Sequence, residues 1–319
     1  MDPTVLILGG LVLLAVGGET LVRGAVGAAK ALGVSPLLIG LTLVGFGTST
    51  PELVTSLQAA LQGSPGLALG NVVGSNIANI LLILGVAALI RPIHFDPRAF
   101  ARDGVVLGAA TLACIGVVLY GRLTPLIGAG FLAALILYVV ISWLQERRAP
   151  AGDLEAERLE HEAAASAPPR PTGVWGGVLL AIVGIALTVV GARLLVDGAI
   201  AIARDWGVSE TLIGLTIVAV GTSLPELVAS TVAALRGRSD VAFGNVVGSN
   251  IYNVLGVLGI TALVKPIPAP PELARADIWV MLAAALLILF QRNLRLGRME
   301  GLGLLMCYAL YVSFLAAGA

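Results

Sequence analysis

The chain has 319 residues, of which 58% are hydrophobic and only 12% charged, and its formal net charge at pH 7 is zero. Soluble domains are about one quarter charged, so this composition excludes an ordinary soluble protein and favours one embedded in a membrane. The zero net charge gives no electrostatic reason to expect a nucleic-acid partner.

Apolar windows along the chain predict ten transmembrane helices, because about 20 apolar residues suffice to cross the hydrocarbon core as a helix. The long runs of Leu, Val, Ala and Ile do not alternate with polar residues, which favours helices over a β-barrel. The predicted spans, numbered 1 to 10, are 4–25, 36–61, 66–90, 103–120, 124–144, 173–198, 210–235, 241–264, 274–291 and 300–317.

The sequence of spans 2 and 3 recurs in spans 7 and 8. Gly33–Ile93 aligns without gaps with Gly207–Ile267 at a constant offset of 174, and 38 of the 61 pairs are identical. The duplication predicts a first five-helix repeat at 1–144, a polar linker at 145–172 and a second five-helix repeat at 173–319. Internal repeats in a hydrophobic chain are typical of transporters that build one site between two halves.

The positive charges predict that the two repeats have opposite orientations. An N-terminus outside the cell places 14 of the 19 Lys and Arg residues on the cytoplasmic side and 5 on the outer side, as the positive-inside rule requires. Because each repeat has an odd number of helices, the second enters the membrane the other way up. We therefore expect a multi-pass protein of the plasma (inner) membrane, with inverted repeats, both termini outside and a cytoplasmic linker.

Two glutamates fall in the middle of predicted spans, whereas the other acidic residues are predicted at helix ends or in loops. Glu52 lies in GTSTPELVTS (Gly47–Ser56) and Glu226 in GTSLPELVAS (Gly221–Ser230). A carboxylate at the bilayer centre costs at least ~2.5–3.5 kcal/mol on insertion scales, so it usually faces a cavity, a partner or an ion. No Lys or Arg is predicted mid-span to pair with either, and we interpret both as cation ligands. The alternative is a protonated glutamate bonded to its neighbours.

The residues around each glutamate supply further oxygen donors. Pro51 and Pro225 precede the glutamates, and together with nearby glycines they predict broken helices whose freed carbonyls can turn toward an ion. Oxygen donors suit hard ions such as Ca²⁺ and Na⁺ and disfavour soft transition metals. The candidate donors are the hydroxyls of Thr48, Ser49, Thr222 and Ser223 and the carbonyls of Gly45 and Phe46, or of Ala219 and Val220.

A second polar motif occurs in spans 3 and 8, as GNVVGSNIANI (Gly70–Ile80) and GNVVGSNIYNV (Gly244–Val254). Serine and the last asparagine of each copy are four residues apart and share one helix face, so we predict Ser75, Asn79, Ser249 and Asn253 as ligands. The expected fold is thus an all-α integral membrane protein with broken helices 2, 3, 7 and 8 around a midplane site. Four amides remain open between ion binding and backbone binding: Asn71, Asn76, Asn245 and Asn250.

The paired GTSxPE and GNxxGSNxxN motifs resemble the alpha repeats of the calcium/cation antiporter superfamily, and the prokaryotic sodium/calcium exchanger branch most of all. The resemblance covers nearly the whole chain. It implies that Glu52 and Glu226 bind Ca²⁺ together with the backbone oxygens of Thr48 and Thr222. It also implies Na⁺ sites that add Ser49, Ser223, Ser75, Ser249, Asn79 and the carbonyls of Gly45 and Ala219.

The function implied by this resemblance is a secondary antiporter that exchanges Ca²⁺ for Na⁺ by alternating access. The alternative is a Ca²⁺/H⁺ or other cation/H⁺ antiporter, although that branch usually has a GNxxE core in place of GTSxPE. A channel and a membrane-embedded enzyme are further alternatives, but the spans contain no HExxH or Ser/His arrangement. We expect the ions and the bilayer to be the partners, with no prosthetic group and no obligate protein partner, a monomer being sufficient.

Overall fold

A computed structural model of the chain shows a helical membrane protein, and it describes residues 2–94, 97–148, 173–206, 219–270, 273, 276–291 and 295–318. Within these ranges, seven helices are long and apolar enough to cross a membrane, or eight when the bent pair Pro36–Thr48 and Thr50–Leu61 counts as one span. Two shorter apolar helices, Leu224–Leu235 and Asp277–Leu289, add to them. The predicted class, a helical integral membrane protein, is therefore confirmed.

The first half of the chain begins with a long helix whose ends follow from its sequence. The Asp2 side chain accepts a hydrogen bond from the Thr4 backbone N–H at 2.7 Å, and Gly33 ends the helix at a φ of 66°. The helices of this half are α1 Pro3–Leu32, α2 Pro36–Ile39, α3 Gly45–Thr48, α4 Thr50–Leu61, α5 Pro65–Ala78, α6 Gly85–Ile90, α7 Pro97–Tyr120 and α8 Pro125–Arg148. A π-helical turn at Gly40–Val44 joins α2 to α3, and a second at Asn79–Leu84 joins α5 to α6.

The second half repeats this order where the structure describes it. Its helices are α9 Val174–Asp205, α10 Ala219–Thr222, α11 Leu224–Leu235, α12 Ser239–Tyr252, α13 Leu258–Val264, α14 Asp277–Leu289 and α15 Arg298–Gly318. A π-helical turn at Asn253–Val257 joins α12 to α13. Most of the predicted linker, residues 149–172, and the first part of predicted span 7, residues 210–218, lie outside the described residues.

Spans 2 and 7 are interrupted at the serine before each Pro-Glu pair, as the prolines predicted. Helices α3 and α4 meet at Ser49, which has a φ of −81° and a ψ of 11°, and the two helical parts are bent by 42°. Helices α10 and α11 meet in the same way at Ser223, with a φ of −90° and a ψ of 7°. Proline at the second position of each new helix has no N–H to offer the preceding turn, so the helix restarts there.

Spans 3 and 8 are not broken, and the expectation that they would be was wrong. They run through as the continuous helical segments Pro65–Ile90 and Ser239–Val264. Each contains a π-helical turn that begins at the last asparagine of the motif, Asn79 or Asn253. No proline lies inside these segments to remove an N–H, so an extra residue in one turn accommodates the polar side chains without ending the helix.

Helices α1 and α9 pack against each other along their length in antiparallel directions. Both carry glycine every seven residues, so their backbones approach closely. A Cβ added at Gly24 would lie 2.3 Å from the Ala181 backbone nitrogen, and one at Gly10 would lie 2.7 Å from the Gly191 carbonyl oxygen. The glycines at this contact are Gly10, Gly17 and Gly24 of α1 and Gly177, Gly184, Gly191 and Gly198 of α9.

Two short antiparallel ribbons tie loops of one half to loops of the other. Strand β1 (Ile93–His94) pairs with β4 (Arg295–Leu296), and β2 (Arg122–Leu123) pairs with β3 (Ile267–Pro268). The loop before α7 therefore lies beside the loop before α15, and the loop before α8 lies beside the loop after α13. Each ribbon thus holds one segment from each half at a fixed register.

Large apolar side chains cover the outside of the helical assembly. Val12, Leu112, Ile136 and Leu310 are each about 60% or more exposed, whereas α5 and α12 bury most of their residues. Soluble monomers rarely expose apolar patches of this extent. The pattern is the one expected when lipid replaces water around the outer helices.

One buried acid was misplaced by the sequence. Asp103 was predicted at a helix end, but α7 begins at Pro97 and the Asp103 side chain is fully buried. It pairs with Arg102 at 2.6 Å and accepts a hydrogen bond from the Tyr138 hydroxyl at 3.1 Å. These contacts give Asp103 a structural role, since they hold α7 against α8 and satisfy its charge.

The Gly184→Leu substitution should destabilise the protein, because an added Cβ would lie 2.3 Å from the Leu21 backbone nitrogen. A side-chain rotation cannot relieve this clash, since the atom in contact belongs to the backbone. Overpacking of this kind costs about 1–3 kcal/mol or more, and we expect a clearly lower melting temperature in detergent. Gly9→Ala on α1 is the matched control, since nothing lies within 4 Å of its added Cβ. Equal melting temperatures for the two variants would contradict the packing of α1 on α9.

Candidate cation-binding site

Both mid-span glutamates lie just after the helix breaks. Glu52 is in the first turn of α4 and Glu226 in the first turn of α11, and both side chains are fully buried. The N-terminal end of a helix carries partial positive charge and stabilises a carboxylate there. The C-terminal ends of α3 and α10 face the same breaks and carry partial negative charge, which suits a cation.

The two breaks exchange hydrogen bonds across the repeats. The Ser49 hydroxyl donates to Glu226 Oε1 at 2.8 Å, and the Ser223 hydroxyl donates to Glu52 Oε1 at 3.3 Å. Ser223 Oγ also lies 3.5 Å from the Ser75 hydroxyl. Each serine therefore holds the glutamate of the other half, and the two halves form one polar centre.

The second oxygen of each carboxylate has no such partner. Glu52 Oε2 and Glu226 Oε2 are buried without a hydrogen bond to any described residue, and so are both polar atoms of the Asn79 side chain and Asn253 Oδ1. Buried polar atoms are almost always paired, since leaving one unpaired costs about 1–3 kcal/mol. These oxygens are the atoms that a bound cation would satisfy.

Thr48 and Gly45, two predicted oxygen ligands just before the first break, also contact the second repeat. Thr48 Oγ1 lies 3.0 Å from the Val44 carbonyl oxygen and 3.2 Å from Asn245 Oδ1, both of which can accept its hydrogen. The Ser249 hydroxyl donates to the Gly45 carbonyl at 3.2 Å. The Gly45 carbonyl also accepts the helical hydrogen bond of the Ser49 backbone N–H at 3.2 Å, so the break does not free it as the sequence predicted, although it lies against a predicted ligand.

Asparagine side chains connect spans 3 and 8 to each other. Asn253 Nδ2 donates to Asn76 Oδ1 at 3.1 Å, and Asn76 Nδ2 donates to the Asn250 carbonyl at 3.2 Å. Ala219 opens α10, and Thr222 ends it and lines a cavity beside the break.

The amides that the sequence left open bind backbone carbonyls through their nitrogens. Asn71 Nδ2 donates to the Glu52 carbonyl at 3.2 Å, and Asn245 Nδ2 donates to the Glu226 carbonyl at the same distance. Asn250 Nδ2 donates to the Val246 carbonyl of its own helix at 2.7 Å. These nitrogens face the protein and hold the helices on which the candidate ligands lie.

A cavity of about 300 Å³ reaches the breaks from one side. It lies between α9 and α4 and borders the junction of α10 and α11, and its lining includes Pro51 and Pro225, the residues that precede the two glutamates in the sequence. Its lining residues are Thr50, Pro51, Val54 and Thr55, then Val189, Ala192, Arg193 and Val196, and then Gly221, Thr222 and Pro225.

The corresponding region between α1 and α11 is filled. A Cβ added at Gly18 would lie 2.6 Å from Val228 Cγ1, so the two helices are in close contact. Glu19 pairs with Arg23 on α1, and its other oxygen pairs with Arg236 at the end of α11 at 2.7 Å. The polar centre is therefore approached by a cavity on the α9 side and closed by packing on the α1 side.

The chemistry of this centre is that of oxygen donors. Among the described residues, no group of three or more His, Cys, Asp and Glu side chains could hold a metal ion. Two carboxylates, several hydroxyls, amide oxygens and a carbonyl remain, and these suit Ca²⁺ or Na⁺ and not a soft transition metal. When both carboxylates are ionised, the site carries a charge of about −2.

Comparison with known proteins places both halves of the chain in one family. Residues 3–144 and 176–317 each match the family described as sodium/calcium exchanger protein. The chain is 41% identical over 314 residues to the putative antiporter CaxA of Alkalimonas amylolytica, covering 97% of both proteins. It is 35% identical to the sodium/calcium exchanger MaX1 of Methanosarcina acetivorans, covering 95% of both.

A solved structure has the same fold over nearly the whole chain. The sodium-calcium exchanger NCX_Mj, soaked with 2.5 mM Na⁺ and 0.1 mM Ca²⁺, superposes with a TM-score of 0.82 at 32% sequence identity. The match covers 98% of this chain and 97% of that one. The resemblance carried by the two motifs is therefore confirmed at the level of the family and of the fold.

Replacing either mid-span glutamate by glutamine should strongly weaken Ca²⁺ binding. Glu52→Gln and Glu226→Gln each remove half of the negative charge from a buried site, and we expect affinity to fall by about two orders of magnitude or more. Equilibrium dialysis of ⁴⁵Ca²⁺ against the purified protein measures this. Glu300→Gln, at an exposed position in the first turn of α15, is the matched control. Unchanged Ca²⁺ binding by both buried variants would remove the site from this position.

Proposed function

The chain belongs to the sodium/calcium exchanger protein family, so it is a cation antiporter and not an enzyme, and we propose that it exchanges Ca²⁺ for Na⁺ by alternating access. The observation that carries the proposal is the buried pair Glu52 and Glu226, each with one oxygen bound to the opposite repeat and one oxygen unpartnered within the described residues. A charge of about −2 balances one Ca²⁺ or two Na⁺, so the two ions compete for the same acids.

The proposed Ca²⁺ ligands are the carboxylates of Glu52 and Glu226 and the backbone oxygens of Thr48 and Thr222. The serine–glutamate contacts support Na⁺ sites beside them, since these hydroxyls already lie at the carboxylates. The proposed additional Na⁺ ligands are Ser49, Ser223, Ser75, Ser249, Asn79 and the carbonyls of Gly45 and Ala219. Asn253, which begins the π-helical turn after α12, is a further proposed ligand.

The proposed architecture is two inverted five-helix repeats, 1–144 and 173–319, with the linker 145–172 in the cytoplasm and both termini outside. The antiparallel packing of α1 on α9 supports the inversion, because these helices open the two repeats. The strand pairs support it as well, since the proposed topology places β1 with β4 on the cytoplasmic side and β2 with β3 on the outer side. Both halves of the site come from one chain, so a monomer is sufficient.

Alternating access requires a part that moves and a part that holds the site. The cavity between α9 and α4, and the close packing of α1 on α11, support α1 and α9 as the moving pair. In the proposed orientation Arg193 lies toward the outside and Glu19 toward the cytoplasm. The conformation of this structure then has the outer path open and the cytoplasmic path closed. Movement of α1 and α9 would close the outer path and open the cytoplasmic one.

Cation/H⁺ exchange is the second candidate. Two buried carboxylates can take up protons in place of Na⁺, and loss of charge from a desolvated carboxylate is favourable. Such a protein would use the same glutamates for Ca²⁺ and would differ in the ion that returns. The distinction therefore rests on the driving ion and not on the location of the site.

Na⁺-loaded proteoliposomes containing the protein should accumulate ⁴⁵Ca²⁺ when diluted into Na⁺-free buffer. Outward Na⁺ movement then supplies the energy for Ca²⁺ entry through the shared site. Liposomes without Na⁺ but with an acidic interior test the second candidate under otherwise equal conditions. Uptake that depends on the pH gradient and is indifferent to Na⁺ would replace Na⁺ by H⁺ in the proposal.

Disulfides that involve α1 should show which helices move relative to each other during transport. Leu6→Cys with Gly198→Cys joins α1 to α9, where an added Cβ at Gly198 would lie 3.1 Å from the Leu6 Cβ, and transport should persist. Gly18→Cys with Val228→Cys joins α1 to α11, and transport should stop until reduction. Both double variants need Cys114 and Cys307 replaced beforehand. Undiminished transport in the oxidised α1–α11 protein would show that α1 does not move relative to α11.

A further inference from the structure

We propose that Asn71 and Asn245, the asparagines of the two GN motifs, are positioning residues that fix the backbone beneath each cation-binding glutamate and do not bind the ion. The inference rests on the proposed function, because it concerns the same cation site. It adds two residues to the machinery that lie outside the predicted ligand set, and it gives the GN motif a physical role.

Both asparagines make the same pair of hydrogen bonds at the same offset of 174. Asn71 Nδ2 donates to the Glu52 carbonyl at 3.2 Å and to the Ser56 hydroxyl at 2.9 Å. The corresponding bonds of the second half run from Asn245 Nδ2 to the Glu226 carbonyl at 3.2 Å and to the Ser230 hydroxyl at 2.8 Å. An amide nitrogen carries two hydrogens, so each nitrogen is fully used.

These bonds hold the glutamate's own peptide group. The carbonyl of Glu52 lies in the first turn after a break, where Pro51 cannot donate an N–H to the preceding turn. The hydrogen bond from Asn71 holds that turn of α4 against α5. The second hydrogen bond, to Ser56, connects the same two helices one turn further along α4. Because the carboxylate extends from this peptide, its position relative to the ion depends on the amide.

Asn245 carries an additional contact between the two halves. Its Oδ1 lies 3.2 Å from Thr48 Oγ1, a hydrogen-bond donor on α3 of the first half. Asn245 is fully buried, whereas Asn71 is only partly buried. One side chain therefore connects α12 with the turn that holds Glu226 and with the residue whose carbonyl is a proposed Ca²⁺ ligand. We expect substitution to cost more at Asn245 than at Asn71.

At Asn245 the geometry also argues against a ligand role. A cation is bound through the amide oxygen, and the oxygen of Asn245 already faces the Thr48 hydroxyl, while its nitrogen faces the Glu226 carbonyl. In metal sites, residues that orient the ligands without touching the ion typically change affinity by about 10–100-fold when replaced. That magnitude is what we expect here.

Substitution by aspartate separates positioning from ligation by the sign of its effect. In Asn245→Asp the donor becomes an acceptor that opposes the Glu226 carbonyl, so a positioning role predicts a Ca²⁺ dissociation constant about 10–100-fold higher. A ligand role predicts the reverse, since an added carboxylate at the site strengthens divalent binding. The measurement is ⁴⁵Ca²⁺ equilibrium dialysis on the purified full-length variants, with Asn71→Asp expected to show the smaller loss.

Milder variants keep the test usable when the aspartate proteins are unstable. Ser56→Ala and Ser230→Ala remove one of the two bonds and leave the amide in place, so we expect a several-fold loss of affinity. In the double variant Asn245→Ala with Ser230→Ala, the fold-loss of Ca²⁺ affinity should be smaller than the product of the two single losses, because both substitutions remove the same hydrogen bond. Thr261→Val is the matched control, since its buried hydroxyl donates to Val257 of the same helix, outside the site.

The outcomes are distinguishable from failure of the proposed function. Wild-type protein that binds no Ca²⁺ contradicts the proposed function, and the same variants are then compared by stabilisation against heating in Na⁺. Tighter or unchanged cation binding in Asn245→Asp overturns the positioning role. So does an equal loss in Thr261→Val at a matched melting temperature, because it would show that any buried polar deletion has this effect.

Discussion

A carboxylate in the middle of a bilayer must be satisfied, and the arrangement of this chain follows from having to satisfy two of them. Each glutamate has one oxygen bound to a serine, its backbone carbonyl bound to an asparagine and its second oxygen left without a partner among the described residues. The unpaired oxygens are costly as long as the site holds no cation. The free energy gained by satisfying them is therefore available to strengthen the binding of a cation.

The exchange of partners between the repeats makes the two halves interdependent. Ser49 belongs to one half and binds the glutamate of the other, and Ser223 does the same in return. Neither half contains a complete site, so a duplicated unit of this kind functions only when the two copies face each other. Antiparallel packing brings the equivalent breaks together, and the ribbons between β1 and β4 and between β2 and β3 hold the loops at the two ends in register.

Residue chemistry and spacing predicted the helix breaks in spans 2 and 7 and the buried position of the two glutamates, but they did not predict the backbone geometry of spans 3 and 8. Pro51 and Pro225 mark the breaks because proline lacks an N–H, and the mid-span glutamates are identified by their cost in lipid. The π-helical turns at Asn79 and Asn253 have no such residue signature, so spans 3 and 8 were expected to be broken. Asp103 was misplaced because an apolar window cannot show that α7 begins at Pro97. The seven-residue glycine spacing in α1 and α9 was readable in the sequence, and it is the signal that would have paired these helices.

The two halves differ in how α1 and α9, the proposed moving pair, contact the rest of the protein, and this difference affects which of the two proposed conformations is more stable. Glu19 of α1 pairs with Arg236 of α11, whereas the positions at the same offset in the other half are Arg193 and Gln62, which cannot form an ion pair. Glu19 and Arg236 are partly exposed, and such pairs contribute about 0–1 kcal/mol. An energy of this size changes the ratio of two conformations by at most about fivefold. In the proposed alternating-access cycle, the Glu19–Arg236 pair would therefore favour the conformation with the α1 side closed without preventing the return, and differential binding of the ions would determine when the helices move.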